Sequence, residues 1–147
     1  MEKKDLKPAG VFHYFEEICQ VPRPSKKEEK IIAYLKAFGA KHNLETKVDE
    51  AGNVLIKKPA TPGKENLQTV VLQSHIDMVC EKNNDVQHDF LTDPIETEID
   101  GEWLKAKGTT LGADNGIGVA TELAILADDS IEHGLSLIHI SEPTRLD

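Results

Sequence analysis

Apolar residues recur at helical spacing in three stretches of the chain, with short β-branched runs between them. Val11, Phe12, Phe15, Ile18 and Cys19 share one face of a short amphipathic helix over 11–19. Val21-Pro22-Arg23-Pro24 stops that helix, because neither proline can continue it. Ser25 then stands three residues before Glu28. This is the spacing of a capping box, in which the serine hydroxyl bonds the glutamate amide and the carboxylate reaches back. The helix it opens places Ile31, Ile32, Leu35 and Phe38 on one face and Lys26, Lys27, Lys30 and Lys36 on the others. That pattern predicts a helix lying on the surface of a sheet.

Residues 46–48 and 53–56 read as two short strands joined by a turn at 50–53. The run Thr69-Val70-Val71-Leu72 is continuous and β-branched, which predicts a strand buried on both faces. It leads directly into Gln73-Ser74-His75-Ile76-Asp77, and the end of a buried strand is where open α/β sheets place ligands. Residues 81–101 are polar and read mostly as loop, with a strand at 95–99. Residues 103–106 form another strand, with Trp103 as a packing residue. The glycine-punctuated loop 108–118 opens the most apolar helix, 117–127, with Val119, Leu123 and Leu126 on one face and Ala120 and Ala124 on another. Such a helix is buried, and what packs beneath it fixes the loop's geometry.

Composition narrows the function. A chain of 147 residues is long enough for one domain that buries about two-thirds of its unfolded surface. A formal charge of −9 argues against nucleic-acid and anionic-membrane partners, which need a basic footprint. The excess of acid serves solubility, or it holds cations. No apolar run approaches the roughly 18 residues of a membrane-spanning helix, and the charged stretch 1–8 is followed by no signal-peptide core. Cys19 and Cys80 are isolated and read as free thiols rather than a disulfide, so a cytoplasmic location is expected.

Two places carry chemistry. His75 and Asp77 are two apart at a strand end, so both side chains point the same way. Asp77 can then fix the imidazole's tautomer while the other ring nitrogen meets a metal; the bland alternative is a surface histidine beside an unrelated acid. Asp114 lies between Gly112 and Gly116, ahead of the buried helix. It either bridges two cations, which in two-metal sites stand about 3.5–4 Å apart, or merely caps the helix. The same loop lacks the Gly-Lys-Ser/Thr ending of a P-loop, and Gly112, Gly116 and Gly118 do not fit G-x-G-x-x-G. His13, His42, His88 and His133 have no partner at metal spacing. Cys80, close behind the His75 strand, either lines the site or is buried as a small apolar residue.

Residues 71–79, VLQSHIDMV, together with 107–118, KGTTLGADNGIG, resemble the di-zinc metallopeptidases that include the aminoacylases and carboxypeptidases, and within them the aminoacyl-histidine (Xaa-His, or non-specific) dipeptidases. The opening 15–25, FEEICQVPRPS, is also typical of that group. The likeness covers about Leu6 to Gly134. It implies part of an α/β catalytic domain, a central sheet flanked by helices, over 1–134. It implies His75 as a ligand of one Zn2+, Asp77 as the residue that orients it, and Asp114 as the bridge between two Zn2+ ions, with Mn2+ or Co2+ also accepted by such donors. The implied reaction is hydrolysis of a small dipeptide, Xaa-His among others, by a cytoplasmic full-length parent with room for oligomerisation. A related deacylase or tripeptidase, or a non-enzymatic metal- or partner-binding remnant, is the alternative.

The family's Glu-Glu pair, which supplies the general base and a zinc ligand, does not appear after His133-Gly134. Residues 135–147, LSLIHISEPTRLD, depart from the family and resemble translated sequencing-adapter sequence; alternatively the apolar run 135–140 is a real strand. Glu142 is a lone acid before proline, and His139 occupies no family position. The chain is accordingly expected to be truncated, inactive by itself, and poorly soluble or partly folded.

Overall fold

A computed structural model describes residues 2–141, so Glu142 and the rest of 142–147 lie outside the described residues. The elements are α1 (Ala9–Cys19), α2 (Glu29–Lys41), β1 (Glu45–Val48), β2 (Val54–Lys58), β3 (Val70–His75), β4 (Thr97–Asp100), β5 (Trp103–Ala106), α3 (Ala113–Ala127) and β6 (Ser136–Ser141). Four strands form one sheet in the order β1-β2-β6-β3, and β4 and β5 form a separate hairpin. β6 runs antiparallel to β2 and parallel to β3. The chain is a mixed α/β fold with a sheet flanked by helices, as the resemblance implies.

Alternation along the strands explains the core. Val54 and Ile56 of β2 lie opposite Ile140 and Ile138 of β6, and all four are fully buried. On them pack Ile31, Leu35 and Phe38 of α2, Phe15, Ile18 and Cys19 of α1, and Val119, Ala120, Leu123 and Leu126 of α3. These are the apolar faces read from spacing. The predicted β1–β2 turn is closed by Asp49, whose carboxylate accepts from the amides of Ala51 and Asn53. The apolar run at 135–140 is the strand β6.

Three local expectations fail. β3 is not buried on both faces: it is an edge of the sheet, and Val70 and Val71 are more than half exposed because β6 is its one neighbour among the described strands. Trp103 is not a packing residue; it ends a two-stranded hairpin opposite Asp100 and is 76% exposed. The Ser25–Glu28 capping box does not form. α2 begins one residue after Glu28, the Glu28 carboxylate accepts from the Lys26 amide, and the Ser25 hydroxyl bonds Asp77 instead.

Gly39, buried on α2, faces Thr46 of β1 so closely that a Cβ would overlap the threonine Oγ1. Gly39→Ala gains about 1 kcal/mol of helix propensity but overpacks the contact, which costs about 1–3 kcal/mol. A net loss of stability of about 1 kcal/mol is expected in urea unfolding, and a second change, Thr46→Ala, should recover most of it. Additive losses in the double variant would show that the two residues do not meet.

Candidate functional site

The polar end of β3 and the glycine loop before α3 meet because the loops around them pair. The Thr110 amide donates to Glu81 O at 2.8 Å, and the Thr110 hydroxyl donates to Val79 O at 2.7 Å. Lys82 and Thr109 form a further bridge. At Gly112 the backbone turns with φ +74°, the left-handed region that suits glycine. The turn carries Asp114 out over the end of β3.

His75 sits between two carboxylates. Its Nδ1 is 2.9 Å from Asp77 Oδ1, and its Nε2 is 3.0 Å from Asp114 Oδ1. The two acids differ in surroundings: the Asp77 side chain is 2% exposed and that of Asp114 98%. The second Asp77 oxygen accepts from the Ser25 hydroxyl. Both oxygens of the buried acid are thus engaged, which a buried carboxylate requires. Asp114 does not cap α3. The first turn of α3 is broken by non-helical backbone at Asp114 and Asn115, and after the break the Asn115 Oδ1 accepts from the Gly118 amide at 3.1 Å. A cavity of about 330 Å³, lined by His75, Val79, Thr110, Leu111, Gly112, Ala113 and Asp114, opens beside the pair. Cys80 does not line it; its thiol points to Met78 O, and burial raises its pKa.

The donors present fit part of a zinc centre. Zinc takes nitrogen and oxygen ligands at about 2.0–2.2 Å in a tetrahedron, so two of its donors stand roughly 3.3 Å apart. His75 Nε2 and Asp114 Oδ1 are close to that separation. No group of three or more His, Cys, Asp or Glu side chains able to hold a metal occurs among the described residues. The chain brings together one imidazole and two carboxylates.

The structure brings His75, Asp77 and Asp114 together, and beside them stand two residues that spacing alone does not point to. Ser25 stands at the spacing of a helix cap. Arg23 stands between two helix-stopping prolines, yet it is 2% exposed, and its guanidinium donates to Ile76 O at 3.1 Å and Gly112 O at 2.7 Å. The signal available was the charge itself: an arginine fixed in non-helical backbone next to an apolar helix end needs partners if it is buried.

No protein-family profile matches the chain. It is 51% identical over 133 residues to the cytosol non-specific dipeptidase of Escherichia coli K12, a match covering 90% of this chain and 27% of that protein. Its structure matches that of the aminoacylhistidine dipeptidase of Vibrio alginolyticus with a TM-score of 0.94 and 50% identity, over 99% of this chain and 30% of the other. A tripeptidase of Staphylococcus aureus shares the fold, with a TM-score of 0.71 at 23% identity over 89% of this chain and 35% of that one. In sequence and fold alike, the chain is similar to a segment, somewhat under a third, of the dipeptidases of these first two kinds.

Proposed function

We propose that this chain supplies part of the metal centre of a peptidase that hydrolyses dipeptides, including those ending in histidine. One observation carries the reading: a single imidazole faces a buried carboxylate through Nδ1 and an exposed one through Nε2. A neutral imidazole has one N–H to donate. The buried Asp77 has no water to replace that bond, so the proton belongs on Nδ1. The Nε2 lone pair then faces the negative Asp114, and a cation between them satisfies both. His75 and Asp114 would hold the ion, and Asp77 would hold the ring in the ligating tautomer. Zinc is the expected metal, with manganese or cobalt compatible with the same donors. When bound, the metal supplies Lewis-acid polarisation of a peptide carbonyl.

The similarity in sequence supports the dipeptidase reading, and the name of the Escherichia coli relative supports a cytoplasmic location. No helix among the described residues is long and apolar enough to cross a membrane. The chain spans under a third of the length of these dipeptidase relatives, so the activity and any oligomer are assigned to a full-length parent. We take 1–134 as the peptidase-like part and 135–147 as foreign to its sequence pattern, with 136–141 forming the strand β6.

Calorimetric titration with Zn2+ at pH 7 tests the site. His75→Ala is expected to weaken binding by more than 100-fold, and Asp77→Asn by about 10–100-fold. Undiminished zinc affinity in the folded His75→Ala chain would overturn the assignment.

A further inference from the structure

The segment between α1 and α2 bonds both stretches of chain that carry the site. Arg23 is buried to 2% exposure, and among the described residues its guanidinium bonds backbone carbonyls and no carboxylate. One arm of its guanidinium, Nη1, donates to Ile76 O at 3.1 Å, between His75 and Asp77. The other, Nη2, donates to Gly112 O at 2.7 Å, two residues before Asp114. The planar fork therefore spans the two segments that carry the site. The opposite wall is shaped to it: a Cβ at Gly112 would stand 2.5 Å from Nη2, and one at Gly116 2.6 Å. The backbone of the same segment pairs with the chain just past Asp77, since the Met78 amide donates to Arg23 O at 3.0 Å. Two residues on, the Ser25 hydroxyl holds the Asp77 oxygen that His75 does not.

We propose that Arg23 and Ser25 are positioning residues that together set the site: Arg23 fixes the separation of the His75 strand end from the Asp114 loop, and Ser25 fixes the rotation of the Asp77 carboxylate. Their value for metal binding rests on the reading above, but their effect on the geometry does not. A lysine cannot replace the fork, because one ammonium is a point donor on a flexible stem. A threonine can replace the serine, because it keeps the hydroxyl.

The test uses the metal-free 147-residue chain and nuclear magnetic resonance at fixed pH. The wild type should show a cross-relaxation contact between the His75 ring and the Asp114 methylene, and a slowly exchanging Nδ1–H. Arg23→Lys should lose the first at least in part, with the methyl signals of Leu35 and Leu123 unmoved. Ser25→Ala should shift or broaden the second, and Ser25→Thr should restore it. In parallel, Zn2+ affinity should fall about 10–100-fold in Arg23→Lys and Ser25→Ala and recover in Ser25→Thr. Unchanged ring signals in both folded variants would overturn the proposal. Should Arg23→Lys not fold, Ser25→Ala, which removes one oxygen, decides alone. A wild type that shows the ring signals and binds no zinc would refute the metal reading and leave the positioning role to the resonance data.

Discussion

A chain ending at Gly134 is expected to show no cooperative thermal transition. β6 lies between β2 and β3, paired from Val54↔Ile140 to Lys58↔Ser136 on one side and from Val70↔Ser136 to His75↔Ser141 on the other. Without it β2 keeps only its pairing with β1 among the described strands, and β3 loses its one described partner. Ile138 and Ile140 are fully buried against the helices. Truncating one such side chain costs about 2–5 kcal/mol, so losing two approaches the whole stability of an ordinary domain, about 5–15 kcal/mol. Ile138→Val, which removes one methylene, should cost only about 0.5–1.5 kcal/mol and keep the transition. Differential scanning calorimetry of the two variants beside the wild type checks this. A truncated chain melting like the intact one would contradict the position of β6 in the sheet.

The second large effect concerns Glu122, which lies on α3 and is buried to 4% exposure against β3. Its carboxylate accepts from the Ser74 hydroxyl at 2.6 Å. Burial pushes its pKa up to about 7, with the Ser74 bond acting the other way. A raised pKa in the folded state means that the unfolded chain loses its proton first as pH rises. The residue's stabilising contribution is therefore full below about 4.5, declines between 4.5 and 7, and is level above 7. The loss across that window is about 3–4 kcal/mol. Glu122→Gln keeps the hydrogen bond to Ser74 and removes the titration. The stability gap in favour of the variant should thus widen by that amount from pH 4.5 to pH 8 in urea unfolding. A gap that stays constant with pH would show that Glu122 is not held in a desolvated site.

Legibility in the sequence followed the range of the interaction. The helices were readable because each apolar face is a local period: Ile31, Leu35 and Phe38 in α2, and Val119, Leu123 and Leu126 in α3, are buried as their spacing requires. The alignment of His75 with Asp77 was readable for the same reason, being a two-residue property of extended chain. The meeting of His75 with Asp114, 39 residues apart, was not; only the family resemblance brought them together. Ser25 shows how a local pattern misleads. Its spacing to Glu28 suits a cap, but a buried carboxylate 52 residues away is a stronger claim on its hydroxyl. The run at 69–72 shows the same limit in β-structure: β-branched residues specify a strand, while its place at the edge depends on its neighbours. Glu122 gave no signal, since a single acid in an apolar helix reads the same whether it points to water or to Ser74.

The place of β6 also bears on how the molecule comes to be folded. β1 and β2 can form a hairpin as soon as they exist, whereas β2 and β3 wait for a strand more than sixty residues further along the chain before either is joined to the other. Contacts of such long range carry a high loop-closure entropy and slow the search for the native state. During synthesis from the N-terminus, the exposed valines of β3 and the inner edge of β2 are made well before the strand that separates them. The vulnerable period for this sheet is the interval before β6 emerges, when two open edges invite pairing with other chains.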